Sequence, residues 1–428
     1  MPHPRPKILI ATLGTRGDVQ PYVALAEELT RQGADVAVST GEGFEAMIER
    51  AGARARPVSV NYETLVQQED IRAALHSLKG MVKAARQSIV LQQEIVKELW
   101  QIGLEEKPDL ILFNLKATVM TLVGRRLGVP ALPTSLQPVL APTGDFPLAL
   151  FGLPDMGTFF NRRSYGFGRI LMKAGLGSLF KPLKQEAASE LSMAGSTIDG
   201  FQSGGRKALS LQAFSRALVP TPSDWPSEFW QCGYWFVPPP EDFEPPDDLR
   251  QFLAAGAPPV YLGFGSMPSK DPQGLTKTLL AALMQTGQRA ILATGWGGLT
   301  REALPAELSG KLFLIDKAPH SWLFPKCAGV VHHGGAGTTH EALRWGRPSL
   351  VCPVFGDQPF WGRRISIIGA GPKPIAQKKL TPETLAGALK DLEHPNYAAA
   401  AAKAADVMNA EPGARGAAAR ILALTEPT

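Results

Sequence analysis

Short apolar runs of strand length alternate with helix-length segments in two separate blocks of this chain, and that alternation admits few folds. Lys7 to Thr12 (KILIAT) is the first such run. A loop from Leu13 to Gln20 follows, then a helix with Pro21 in its first turn and Tyr22, Leu25, Ala26 and Leu29 on one face. Gly33 stops that helix, and Asp35 to Ser39 (DVAVS) makes the next strand. A β–α–β unit of this kind predicts parallel strands buried on both faces. The pattern recurs at Leu110 to Phe113 (LILF), with a helix over 118–127 and another strand beyond Pro130. It restarts late in the chain, with strands at 260–264, 290–294, 312–315, 330–332 and 350–353 and a helix at 275–283. Between the two blocks lies VPPPEDFEPPDD, residues 237–248, stiff and extended because proline fixes φ. The expected organisation is therefore α/β: two doubly wound, Rossmann-like domains facing across a cleft, followed by C-terminal helices. Residues 1–236 form the first domain, 237–248 the linker and 249–428 the second, with the last helix returning to pack on the first.

Composition narrows the function. The 428 residues carry 44 Lys and Arg against 39 Asp and Glu, a net +5 spread along the chain rather than clustered with stacking aromatics, so nucleic acid is not an expected partner. Cys232, Cys327 and Cys352 are too few and too scattered for a disulfide framework or a zinc site, which favours a reducing, cytoplasmic setting. MPHPRPKILIATLG reads as the first strand rather than a signal peptide, and no apolar stretch is long enough to span a bilayer. Residues 147–184 are unusual. Phe151, Phe159, Phe160, Phe167, Leu171 and Phe180 are mixed there with basic residues, and Asp155 is the only acid. That mixture suits a peripheral membrane contact or an apolar substrate pocket, but a core helical hairpin with solvated basic edges is the plainer and slightly favoured reading. In the tail, Thr381 and Pro382 look like an N-cap and an N1 proline, and the alanine run at 398–408 is a plain helix.

The segment 328–362, AGVVHHGGAGTTHEALRWGRPSLVCPVFGDQPFWG, carries the chemistry. A strand runs into a glycine loop and then a helix, where Gly334, Gly335 and Gly337 let backbone amides approach a ligand. With the positive end of the helix this makes a phosphate or diphosphate site. His333 is expected to donate to phosphate, most strongly as imidazolium, and His332 to be a core side chain. No metal is expected: neighbouring residues at a strand end point to opposite faces, no acidic cluster lies near His332, His333 and His340, and the chain has no Asp-x-Asp.

These residues resemble the donor-binding signature of UDP-sugar-dependent glycosyltransferases of the GT-B fold, and within them the sterol glucosyltransferase, glycopeptide and natural-product branch. The similarity extends to GTRGDVQPYVALA at 14–26, GYWF at 233–236, YLGFGSM at 261–267, ATGWGG at 293–298 and APHSWLFP at 318–325. It implies that His333 and the amides of Gly335, Gly337 and Thr338 hold the donor diphosphate. Glu341 would accept from ribose, Ser266 would touch phosphate, Trp296 would contribute to the donor pocket, and Ala318 to His320 would face the uracil. Asp357 and Gln358 would bind sugar hydroxyls. Asp18 of the GxRGD sequence would be the catalytic base, in a loop with Gly14, Thr15 and Arg16 near the acceptor; the plainer alternatives for it are a helix cap or a partner of Arg16. Where other members place a second carboxylate after a later strand this chain has Asn114, so a His–Asp dyad is absent and the group orienting Asp18 is open.

The activity so implied is inverting, metal-independent transfer of a hexose, glucose by the Asp-Gln pair, from a UDP-sugar co-substrate to a hydroxyl of a lipophilic acceptor such as a sterol. No cofactor is needed. A dTDP- or UDP-deoxysugar transferase acting on a polyketide, flavonoid or glycopeptide is the alternative. A non-catalytic nucleotide- or lipid-binding protein of the same fold is the alternative of another class. A nicotinamide dehydrogenase is disfavoured, because GTRGD lacks GxGxxG.

Overall fold

A computed structural model describes residues 5–67, 88–192, 202–203, 206–207, 209–239, 243–265, 271–294 and 304–425. In the first domain, β1 (Lys7–Ala11), β2 (Asp35–Gly41), β3 (Arg54–Val58), β4 (Leu110–Phe113) and β5 (Ala131–Ser135) are apolar runs flanked by helices. A short hairpin, β6 (Gln202–Ser203) and β7 (Arg206–Lys207), precedes β8 (Ser210–Gln212) and β9 (Phe229–Gln231). The seven-stranded sheet runs in the order β3-β2-β1-β4-β5-β8-β9, parallel throughout. The second domain holds β10 (Val260–Gly263), β11 (Ala290–Ala293), β12 (Leu312–Ile315), β13 (Gly329–His332) and β14 (Ser349–Val351), ordered β12-β11-β10-β13-β14 and again parallel. Both sheets are doubly wound as the alternation requires. In each, the strand order reverses beside its first strand, at β1/β4 and at β10/β13, and such switch points are where crevices open beyond the strand ends.

Two local readings change. The first helix spans Arg16–Arg31, so Asp18 lies in its first turn rather than in a loop, and Pro21 lies inside the helix. The proline is tolerated because the carbonyl it leaves unpaired belongs to Gly17, which is exposed and open to water. Residues 147–184 form no hairpin: a single helix, Thr158–Leu179, is bracketed by short 3₁₀ turns at Ala149–Phe151 and Lys181–Leu183. The proline-rich segment is shorter than its composition suggests, since Asp247 and Asp248 open a helix, Asp247–Ala254, where acidic side chains complement the positive helix end.

One hydrophobic cluster runs from the first sheet into the second domain, joining Tyr22 and Trp235 to Phe360 and Trp361. His340 is wedged in it, fully buried. Its ring stacks on Tyr234 at 4.4 Å and meets the Trp361 ring edge at 5.0 Å. Nδ1 donates to the Ala336 carbonyl at 2.7 Å, leaving Nε2 to accept the Ser215 amide of the first domain at 3.2 Å. Arg364 Nε donates to Leu218 O at 2.5 Å, a second tie between the domains. The final helix, Gly413–Leu422, places Ala417, Ala418 and Ile421 in the cluster shared with the first helix.

Burial lowers the His340 imidazole to about 4, opposed by its hydrogen bond to Ala336. The folded protein therefore holds it neutral, whereas the unfolded chain protonates it near about 6.5. The unfolded chain then binds more protons below that pH, so stability should fall as pH drops from about 6.5 toward 4. His340→Phe should cost about 1–3 kcal/mol at pH 7, because the Ser215 amide loses its acceptor, and should make the loss on acidification shallower. Denaturant unfolding at pH 7 and pH 5 measures both.

Candidate functional site

At the first switch point, Asp18 follows β1 and Lys116 follows β4. Asp18 Oδ2 accepts the Thr15 amide at 3.1 Å and Lys116 Nζ at 3.0 Å, while Oδ1 accepts from no described residue. One oxygen is thus pinned and the other left open. Asn114 builds the frame behind it. Its Nδ2 donates to Thr12 Oγ1 and Leu13 O, both at 3.0 Å, and its Oδ1 accepts the Lys116 amide at 3.1 Å. Thr12 Oγ1 donates in turn to the Asp18 carbonyl at 3.0 Å. The position that lacks a carboxylate therefore ties the two loops together, and Lys116 orients Asp18. The exposed Lys116–Asp18 pair adds little stability; its contribution is to direction. Gly14 (φ +143°) is needed here, since a Cβ there would lie 2.1 Å from Asp18 Oδ2. Asp18 does cap its helix in part, through Thr15, but its cationic partner is Lys116; Arg16 donates to Gln20 at 3.5 Å.

The second switch point carries His333 and the turn into the helix Ala336–Arg344. The amides of Gly337 and Thr338, in that helix's first turn, have no carbonyl of their own helix to bond. Gly334 (φ +94°) brings the backbone close to Val351 and Gln358, and Gly337 passes near the Tyr234 hydroxyl. His332 is buried with Nδ1 accepting the Gly334 amide at 3.1 Å, the core role expected of it. His333 is half-buried and its Nδ1 has no partner. Burial lowers His333 to about 4, so the ring is neutral and offers a neutral N–H, not the stronger imidazolium donor. His320 is lowered to about 4 by burial, with the charge of Arg16 adding; it stacks on Phe324 at 4.3 Å and meets the Tyr261 hydroxyl at 3.3 Å. Ala318 is half-buried just ahead of the four-residue helix His320–Leu323.

Glu341 is pinned: Trp345 Nε1 donates to it at 2.8 Å and Arg344 lies 3.5 Å away, while burial raises its carboxyl. Asp357 is the N-cap of the helix Gln358–Ile367, and Trp361 Nε1 donates to its Oδ2 at 2.7 Å. Burial raises Asp357 to about 6; hydrogen bonds from Trp361 and Gln137 oppose the rise and the charge of Asp18 adds to it. Gln358 spends its carbonyl oxygen closing its own turn, on the amides of Val354 at 2.8 Å and Phe355 at 3.3 Å. The hydrogen bonds from Ser215 to His340 and from Arg364 to Leu218 hold the two sides together, and the charges of Arg16 and Asp18 reach His320 and Asp357 across the boundary. Ser266 and Trp296 lie outside the described residues. Lys116 and Gln137 were not singled out in the sequence, while Tyr234 appeared there only within the GYWF motif and His340 only in the rejected metal set. Lys116 had a usable signal, its place just after the strand across the switch from β1.

Among the described residues no three His, Cys, Asp or Glu side chains cluster as a metal site, and no helix is long and apolar enough to cross a membrane. All three cysteines are buried and free.

Two parallel-sheet domains with their switch points opposed define the GT-B glycosyltransferase fold, and the solved structure of the glycotransferase of kitacinnamycin superimposes with a TM-score of 0.69 at 19% identity, covering 99% of this chain and 100% of that one. Residues 8–134 match the glycosyltransferase family 28 N-terminal domain, and residues 294–424 match the erythromycin biosynthesis protein CIII-like C-terminal domain. Over nearly its whole length the chain is similar to sterol 3-beta-glucosyltransferases. It is 32% identical to UGT80A2 of Arabidopsis thaliana over 97% of this chain and 32% identical to UGT80B1 of the same plant over 96%. The chain spans 65% and 66% of the lengths of these two relatives.

Gly334→Ala should destabilise the fold by about 1–3 kcal/mol, because its Cβ would meet Val351 Cγ1 at 2.5 Å and the Gln358 carbonyl at 3.0 Å in a backbone region hostile to side chains. Gly335→Ala, whose Cβ would lie 2.6 Å from His333 Nε2, should displace that ring at a smaller cost in stability. Denaturant midpoints compare the two.

Proposed function

We propose that this chain is an inverting, metal-independent glycosyltransferase that moves a hexose, glucose in the first instance, from a UDP-sugar to a hydroxyl of a lipophilic acceptor such as a sterol. The homology to sterol 3-beta-glucosyltransferases supports the acceptor class and the sugar. The observation that carries the chemistry is the open Oδ1 of Asp18, its partner oxygen pinned by Thr15 and Lys116, across the cleft from the glycine turn at 334–338. Asp18 takes the proton of the acceptor hydroxyl as its oxygen bonds to the anomeric carbon. The bond from that carbon to the diphosphate oxygen breaks on the opposite side, and UDP departs. The growing charge is met by the amides of Gly335, Gly337 and Thr338 and by a neutral N–H of His333, donors already in place before reaction. A single displacement inverts the anomeric centre. Glu341 holds ribose, Ala318 and His320 border the base, and Asp357 with the Gln358 amide group takes sugar hydroxyls; Ser266 and Trp296 complete the donor side.

A carboxyl raised to about 6 suits Asp357 to either donate or accept near neutral pH. A dTDP- or deoxysugar transferase on a natural product is the second reading, favoured by the architecture shared with the kitacinnamycin enzyme. Peripheral contact with a bilayer through residues 147–184, in a cytoplasmic setting, belongs to the main reading.

Mass detection of product from UDP- and dTDP-sugars offered with a sterol, a flavonoid and a macrolide separates these readings. Asp18→Asn should lower turnover by roughly 10²–10⁴-fold while leaving UDP affinity within a few fold, since it removes only the proton acceptor. His333→Ala should weaken UDP binding by roughly tenfold by calorimetry. Undiminished turnover of Asp18→Asn would sink the mechanism.

A further inference from the structure

A helix on the surface of a globular protein normally turns its apolar side inward and a polar side to water. The helix Thr158–Leu179 instead turns an apolar side to water. At about 100° per residue, Asn161, Tyr165 and Gly168 share one face, and these residues are buried against the first domain. On the outer side, Phe159 (61% exposed), Phe160 (54%), Phe167 (57%), Ile170 (67%) and Leu171 (47%) form a continuous stripe. Scattered surface apolar residues need no explanation, but a contiguous stripe opposite the packed face does.

The border of the stripe says what covers it. Arg169 and Lys173 lie along one edge by the same helical spacing, with Arg162 beside them paired to Asp224 at 2.7 Å, and Arg163 lies over the Phe159 ring at 4.6 Å, a cation tucked among the aromatics. Asp155 is the only acid between residues 147 and 184, against six basic residues. A second copy of this chain would bring like charge against like charge, whereas a surface of anionic headgroups complements the edge and accepts the aromatics beneath it. The foot of the stripe also adjoins the cleft. Leu153 accepts a hydrogen bond from Arg363 Nη2 at 2.7 Å, and a Cβ on Gly152 would touch Pro359 at 3.1 Å, next to Asp357 and Gln358. Phe151 and Met156, exposed by 39% and 60%, flank that junction.

We infer that the helix Thr158–Leu179 lies flat on an anionic lipid surface, with Phe159, Phe167 and Ile170 among the acyl chains, and sets the mouth of the cleft at the headgroup level. A lipophilic alcohol then passes from bilayer to cleft without crossing water. The docking stands on the stripe and its charges; only the delivery of acceptor rests on the function proposed above.

The full chain is mixed with phosphatidylcholine vesicles, with and without about 30% phosphatidylglycerol, and sedimented in the absence of any sugar donor. Binding to the anionic vesicles alone is expected, weakened as salt rises from about 0.1 to 0.5 M. Phe167→Ser with Ile170→Ser should lower the vesicle-bound fraction roughly tenfold at unchanged thermal stability, both side chains being exposed. Equal binding by wild type and double variant, no binding to anionic vesicles, or a salt-insensitive dimer that the double variant abolishes would each overturn the docking. In a transfer assay, the double variant should match wild type on detergent-dispersed acceptor and lose activity on acceptor embedded in vesicles. Absence of transfer by either protein in both formats defeats the functional reading, whereas docking is decided by sedimentation alone.

Discussion

The buried contact between His340 and the first domain is the constraint from which the rest of the architecture follows. Two doubly wound domains have two crevices, and these make one cleft only if the domains are held with their switch points opposed. Tyr234 and Trp361 clamp the His340 ring, and its Nε2 takes the Ser215 amide across the boundary at 3.2 Å. That bond requires a neutral imidazole with its proton on Nδ1, which the Ala336 carbonyl assures. The aromatic cluster around it, from Tyr22 through Trp235 to Phe360, extends a single core through both domains.

Electrostatics divide the cleft along the same line. The second-domain side is a row of imidazoles kept neutral by burial, so its affinity for a diphosphate would come from N–H dipoles and a helix end rather than from net positive charge. The first-domain side supplies ions, a carboxylate held by an ammonium. In the proposed displacement the N–H donors of one side would meet the leaving group and the carboxylate of the other would accept the nucleophile's proton.

Much of this was legible in the residues. Strand-length apolar runs separated by helices specify parallel sheets, because strands buried on both faces lose the alternation that exposed strands keep. Gly334 and Gly337 marked a close approach of backbone. Asn114 was visible as a departure from the family pattern, but its task was not, since its partners Thr12 and Leu13 are 102 and 101 residues away. The early start of the first helix was hidden by Pro21, whose cost depends on whether the carbonyl four residues back can reach water. The 147–184 stretch showed its mixed character in sequence, but a hairpin and a single helix with an uncovered face have the same composition.

By itself the sequence determined the elements, their parallel arrangement in two domains, and the placement of Asp18 and His333 just beyond strand ends, because periodicity, glycine and proline act over a few residues. Tertiary structure alone decided that Lys116 grips Asp18 from 98 positions away, that His340 joins the domains, that the imidazoles are neutral, and that one apolar helix face was left bare. Those outcomes depend on strand order and on the dielectric each side chain meets after packing, and neither is written in the neighbourhood of the residue concerned.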